Sequence, residues 1–253
     1  MKIVGIIPAR MAASRFPGKP LASLAGRTMI EHVYRRASRA KHLAEVYLAT
    51  CDQVIYDAVS GFGGRPLMTA DTHVRCTDRV AEAAEAVVAD LVVNIQGDEP
   101  MIHPDAIDHL CESALANPDL PCVNLGNVIT REEDFRNPNQ VKAVCDREGN
   151  ALYMSRQPVP TTKVWGSTQV VRQLGMIAFR RDFLRTFSAL SPTPLEQAES
   201  VDMLRAIEHG YRVRMVLSPH ESFGVDTPED LRVAEGRLAR DPLAIELFAG
   251  AGR

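Results

Sequence analysis

Two hydrophobic periods take turns along the chain. Lys2 to Ile7 is an apolar, β-branched run broken by one glycine, the composition of a buried parallel strand. Pro8 to Pro20 carries three prolines, one glycine and three cations, which argues against regular structure. Thr28 to Ala40 switches to helical spacing, with Met29, Ile30, Val33 and Tyr34 on one face. Glu45 to Thr50 predicts a second strand, and Gln53 to Ser60 a short helix ended by Gly61 to Gly64. Thr77 to Ala89 predicts a helix with Val80, Ala83, Ala84, Val87 and Val88 on one side. Asp90 to Ile95 predicts the next strand, stopped by Gln96-Gly97-Asp98-Glu99-Pro100. Helix Pro104 to Ala116 and strand Pro121 to Leu125 complete a third unit.

The second half is more mixed. Val141 to Cys145, Met176 to Phe179 and Arg212 to Leu217 read as strands. Leu195 to His209, closed by Gly210, and Pro228 to Ala239, opened by Asp226-Thr227-Pro228, read as helices. Pro158 to Ser167 reads as an exposed excursion. Strands alternating with helices predict an α/β fold, a mostly parallel sheet with helices on both faces. No repeat or linker divides residues 1–253, so one domain is the simplest organisation.

Bulk chemistry narrows the function by exclusion. The 253 residues are 45% hydrophobic and 24% charged, a globular balance with a formal net charge of -3. Such a chain has no global attraction for nucleic acid or anionic membrane, so an anionic ligand needs a local cluster of cations. Cys51, Cys76, Cys111, Cys122 and Cys145 are odd in number, widely spaced and free of any CxxC. That argues against a disulfide framework and against a zinc site, and predicts a reducing, cytoplasmic setting. The N-terminal apolar run ends in Pro and Arg and reads as a strand rather than a signal peptide. No run of 18 apolar residues is present to span a membrane.

Candidate chemistry sits at the predicted strand ends. Arg10, Arg15 and Lys19 leave the first strand in a loop of small residues. In an open α/β sheet that position faces the ligand, and three cations there could clamp a triphosphate. Neither GxGxxG nor GxxxxGK[ST] follows this strand, which argues against a dinucleotide-binding oxidoreductase and a P-loop NTPase. A regulatory module with a decayed site would not keep all three cations together with Asp98 and Asp226. Those two aspartates follow separate strands at the same rim, as a Mg²⁺ site with few carboxylates requires. A turn aspartate at 98 and an N-cap at 226 or 227 are the alternatives.

The segments PARMAASRFPGKPL, MT…HVRCTDR, VVNIQGDEP, NPNQVKAV, ALYMSRQPVP, RQLG, PLE and GVDTPEDL occur in this order between residues 8 and 231. Together they resemble the 3-deoxy-manno-octulosonate (KDO) cytidylyltransferases. The resemblance implies a nucleotide-diphospho-sugar transferase fold, CTP as co-substrate, Mg²⁺ as cofactor and a homodimer with its contact around residues 151–175. It implies that Arg10, Arg15 and Lys19 handle the phosphates and that Asp98 and Asp226 hold Mg²⁺. Pro8, Ala9, Thr69, Thr77, Arg79, Gln96 and Gly97 would lie along the nucleotide, and Arg75, Arg156, Gln173 and Met203 on the acceptor side. No protein nucleophile is needed: an acceptor oxygen attacks the α-phosphorus in line and pyrophosphate leaves.

Departures from the family pattern cluster on that acceptor side. The family's H-x-S-G-T-[DE]-R is His73-Val74-Arg75-Cys76-Thr77-Asp78-Arg79, and its R-H-L-G-[IL]-Y is Arg172-Gln173-Leu174-Gly175-Met176-Ile177. Its E-Q-L-R becomes Asp202-Met203-Leu204-Arg205. Losing hydroxyl-reading groups and gaining Arg75 predicts a smaller, more anionic acceptor, with phosphonoformate, the acceptor of a subgroup resembling this family, as the leading example. A KDO-type sugar acid is the alternative, with Arg75 in solvent and Met203 in the core. Trp165 is expected as an exposed aromatic at the dimer contact, and His220 as solvent-facing.

Overall fold

The computed structural model of the protein describes residues 1–12, 15–161 and 164–248. Positions 13–14 of the basic loop, 162–163 of the excursion and 249–253 of the predicted domain lie outside the described residues. The strands are β1 (Ile3–Ala9), β2 (Ser23–Leu24), β3 (Arg27–Thr28), β4 (Glu45–Thr50), β5 (Pro66–Met68), β6 (Leu91–Asn94), β7 (Cys122–Val128), β8 (Lys142–Cys145), β9 (Ala151–Ser155), β10 (Val171–Arg180) and β11 (Val213–Leu217). The helices are α1 (Met29–Ala37), α2 (Gln53–Gly61), α3 (Cys76–Glu85), α4 (Pro104–Ala116), α5 (Glu132–Arg136), α6 (Arg181–Ala189), α7 (Pro194–Glu199), α8 (Met203–Glu208), α9 (Pro228–Leu238) and α10 (Pro242–Phe248).

Nine strands form one sheet, along the path β11-β7-β10-β6-β1-β4-β5, with β8 and β9 attached through β10. The pairs β1/β4, β1/β6, β4/β5 and β7/β11 are parallel, as βαβ alternation predicts. The departure is β10, which runs antiparallel to β6 and β7 between them. Strand β1 shows why its sequence is apolar throughout. Ile3 and Ile7 enter a core under α1, α2 and α4, while Val4 and Ile6 enter a second core under α3, α6 and α8. Both faces are covered, so no polar position survives.

Two predicted elements differ. Leu195–His209 is two helices, because Ser200 adopts a left-handed backbone at φ 53 and ends α7. The break frees Glu199 to accept hydrogen bonds from Tyr153, Ser155 and the Arg156 backbone, contacts that a straight helix would forfeit. Trp165 is half-buried against Phe135, ring centroids 5.3 Å apart, in a small cluster with Ile129 and Val170. It is an intramolecular packing residue rather than a lone exposed aromatic. No helix among the described residues is long and apolar enough to cross a membrane.

Candidate active site

Parallel pairing of β1 and β6, with Ile6 opposite Asn94, brings both carboxyl ends to one edge. The basic loop leaves β1 there, and Gln96-Gly97-Asp98 leaves β6 beside it. Gly97 makes the approach possible: a Cβ at this position would lie 2.8 Å from the Pro8 carbonyl oxygen and 3.3 Å from Ile30 Cδ1. A third segment arrives from β11, where the Val225 N–H donates to the Asp98 carbonyl at 2.8 Å. These segments enclose a cleft of about 740 Å³ lined by Pro8, Ala9, Arg10, Arg15, Lys19, Gln96, Gly97, Asp98 and Asp226, among others.

Apart from Arg10, the charged groups in the cleft are mutually paired. Lys19 Nζ donates to Asp98 Oδ2 at 2.9 Å, to the Val225 carbonyl at 2.9 Å and to Asp226 Oδ1 at 3.4 Å. Arg15 reaches the same Asp226 oxygen at 3.0 Å. The loop itself is tied down by the Met11 N–H, which donates to Asp52 at 2.7 Å. Arg10 stays exposed, its contact with the His73 carbonyl a long 3.5 Å. The Asp226 alternatives are resolved by α9: its N-cap is Thr227, which forms a capping box with Asp230. The Asp226 carboxylate is therefore free of helix capping. Two carboxylates from separate segments converge on one ammonium, the donor set a hard divalent cation requires.

Not every expected nucleotide residue reaches the cleft. Arg79 is buried and donates to Thr69 Oγ1 at 2.5 Å and to the Ala70 carbonyl at 3.1 Å. Thr77 is also buried, its hydroxyl on Asp202 at 2.9 Å. All three lie away from the cleft lining and brace α3, Arg79 through one terminal nitrogen on Thr69 and Ala70 and Thr77 through Asp202.

The acceptor-side residues divide sharply. Arg75 donates to Ser200 Oγ at 2.8 Å and lies 3.6 Å from Asp202. Arg156 donates to the Glu199 carbonyl at 2.7 Å, with its far nitrogen 3.4 Å from the Ser200 carbonyl. Two arginines thus flank Ser200. Gln173, by contrast, gives its amide to Asn124 at 2.9 Å. Met203 is fully buried in the α3–α6–α8 core, and Ile177 is buried in the same cluster. Met203 is therefore corrected from an acceptor contact to a core residue, since no part of its side chain reaches solvent.

Asn124 and Gln96 have a structural task that their sequence context concealed. Strand β10 bulges between Gln173 and Ile177, leaving carbonyls off the ladder. Asn124 donates to those of Leu174 and Met176 at 2.7 and 3.1 Å, and Gln96 to that of Gly175 at 2.9 Å. A Cβ on Gly175 would fall 2.4 Å from Gln96 Cγ. Lys142, fully buried, similarly donates to the carbonyls of Asn137, Gln140 and Arg156 at 2.5–3.0 Å. It holds the Arg156 turn, and its burial lowers its pKa. Burial pushes the Cys76 thiol up to about 11, so it is a neutral group and no nucleophile. Burial also raises the Asp202 carboxyl, against the Thr77 hydrogen bond and the charge of Arg75.

The family model for cytidylyltransferases matches residues 4–217. A 3-deoxy-manno-octulosonate cytidylyltransferase from Geobacter metallireducens is 45% identical over 95% of this chain and 99% of its own length. An 8-amino-3,8-dideoxy-manno-octulosonate cytidylyltransferase from Shewanella piezotolerans is 44% identical over 95% of this chain and 100% of its own. A CMP:2-keto-3-deoxy-manno-octonic acid synthetase, solved with CTP, superposes with a TM-score of 0.90 at 38% identity, covering 95% of this chain and 99% of that one. These relatives are named for octulosonate-type acids, the acceptor class that the sequence offered as the alternative to phosphonoformate. Cleft and relatives agree: the chain belongs to the cytidylyltransferases, enzymes that transfer a nucleotidyl group.

Proposed function

We propose that the protein transfers CMP from CTP to a 3-deoxy-octulosonate-type sugar acid with release of pyrophosphate. The observation that carries this reading is the 45% identity, end to end, with an enzyme named for that acceptor. The burial of Met203 and Ile177 supports it, because it leaves two of the altered motif positions outside the acceptor contacts. One observation favours the second reading, phosphonoformate: Arg75 and Arg156 both flank Ser200, and paired guanidinium groups suit a compact dianion.

In the proposed reaction Arg10, Arg15 and Lys19 bind the triphosphate, with Pro8, Ala9, Gln96 and Gly97 beside the base and ribose. The acceptor oxygen attacks the α-phosphorus, and the bond to pyrophosphate breaks in line. Asp98 and Asp226 would hold Mg²⁺, which when bound offsets charge on the phosphates. Arg75 and Arg156 orient the acceptor carboxylate. A second copy would pack on the excursion 151–175, where Leu152 and Val164 are exposed. The five unpaired cysteines accord with a reducing, cytoplasmic setting.

Pyrophosphate release with CTP and Mg²⁺, KDO and phosphonoformate in parallel, tests the reading. Release with KDO is expected. Release with phosphonoformate alone replaces the acceptor, and release with neither removes both.

A further inference from the structure

His103, Asp105 and His220 lie outside the cleft, and the transfer reaction uses none of them. One ligand atom from each falls within 4.8 Å of the others, a grouping found among the described residues. Asp105 Oδ2 is 3.6 Å from His103 Nδ1 and 3.7 Å from His220 Nε2. The two imidazoles stack with centroids 3.7 Å apart and planes 15° from parallel, and because a metal lies in the plane of each ring that binds it, one of these half-exposed rings turns out of the stack when both hold an ion. A tetrahedral ion with bonds of about 2.0–2.1 Å sets its ligands about 3.4 Å apart, so both measured distances are within a few tenths of that spacing.

Backbone organisation delivers these groups. His103 is the N-cap of α4 and Asp105 lies in its first turn. The His220 carbonyl accepts from Asn127 at 2.9 Å and from Ser218 at 2.8 Å, and its N–H donates to Ser218 Oγ at 3.1 Å. His220 is therefore presented by a fixed turn rather than a free loop. The side chains remain 35–58% exposed, which leaves an entry path and open coordination positions. His103 Nδ1 accepts a long 3.2 Å bond from the Asp105 N–H, the one contact that an ion at this nitrogen would displace.

We propose that His103, Asp105 and His220 form a second metal site, specific for a borderline transition ion such as Zn²⁺ rather than Mg²⁺. Two imidazoles and one carboxylate select that class, whereas Mg²⁺ prefers oxygen. The site joins the start of α4, five residues beyond Asp98, to the segment 218–226 that ends at Asp226. An ion there clips together the two segments that carry the cleft carboxylates, a join already made by Ser222 Oγ on Glu99 at 2.7 Å.

The test is calorimetric titration of chelator-treated protein with Zn²⁺ alone, in a buffer that does not bind zinc. One saturable site is expected, weakened by roughly 100-fold in His220→Ala, since even loss of a ligand's supporting hydrogen bond costs 10–100-fold. His220→Ala keeps the His103 helix cap, so folding is preserved. Asp98→Asn should bind Zn²⁺ as the wild type does, separating this site from the cleft. Unchanged binding in His220→Ala, loss of binding in Asp98→Asn, or no saturable binding would each overturn the proposal.

Discussion

The Glu196→Gln variant probes the ion pair most deeply enclosed in the acceptor-side core. Arg205 grips Glu196 with two bonds, Nε to Oε2 at 2.8 Å and a terminal nitrogen to Oε1 at 2.6 Å. The two side chains are 5% and 2% exposed. Removing one charge strands a buried guanidinium, which costs about 3–5 kcal/mol. Arg205 keeps a 3.4 Å contact with Asp78 and sits over the Phe187 ring, so the low end, about 3 kcal/mol, applies. For a chain of this size each kcal/mol lowers Tm by roughly 2–4 °C, giving a drop of roughly 6–12 °C.

The pH dependence follows from the same pair. Burial alone would raise the Glu196 carboxyl, but the Arg205 hydrogen bonds and charge outweigh it and hold the carboxyl below its usual value. A carboxylate with a depressed folded pKa adds stability above its unfolded value and loses it as pH falls through the folded one. Melting curves of wild type and variant should therefore be well separated near about pH 8 and converge below about pH 4. A variant that melts with the wild type at neutral pH, or a gap that does not narrow in acid, would refute this account of the pair.

Gly97→Ala should lower Tm by about 2–12 °C, from overpacking of about 1–3 kcal/mol against the Pro8 carbonyl, and cut kcat/KM by roughly 100-fold through displacement of Asp98. Wild-type melting and turnover together would show that the turn has room. The mass in solution should be twice the 27.8 kDa of one chain, and Leu152→Glu should shift it toward the monomer; a monomeric wild type sinks the proposed dimer.

The convergence of Arg10, Arg15, Lys19, Asp98 and Asp226 on one cleft was legible because its signals are local. Three cations in one irregular loop after an apolar strand, and aspartates at strand ends, keep their meaning whatever the rest of the chain does. Asp226 was ambiguous only until Thr227 was seen to cap α9. The acceptor side was less legible because its determinants depend on burial and long-range register. Met203 and Ile177 occupy motif positions yet point into the core. Asn124 sits in the apolar run PCVNLGNV with no hint that a β10 bulge, 50 residues away, needs its amide. The antiparallel course of β10 was hidden for the same reason: a strand's sequence reports burial on each face, not its direction.

Charge balance explains how so polar a cleft holds together. Lys19 and Arg15 meet Asp98 and Asp226 within 2.9–3.4 Å, so neither carboxylate is left facing another unscreened. The side chain of Lys19 is only 14% exposed, and its ammonium would be costly there without those three oxygen partners. The arrangement is half-open, with both aspartates more than a third exposed, so the pairs are weakened by water and easily exchanged. In the proposed reaction a polyphosphate would take over the cations and a divalent ion the carboxylates, each replacing a partner of like charge. Binding both together preserves neutrality at every group, whereas either alone leaves half of the old pairs unmet. On the proposed function, the residues that balance one another in the cleft would favour joint occupancy by nucleotide and cation, a preference set by where β1, β6 and the turn before α9 end.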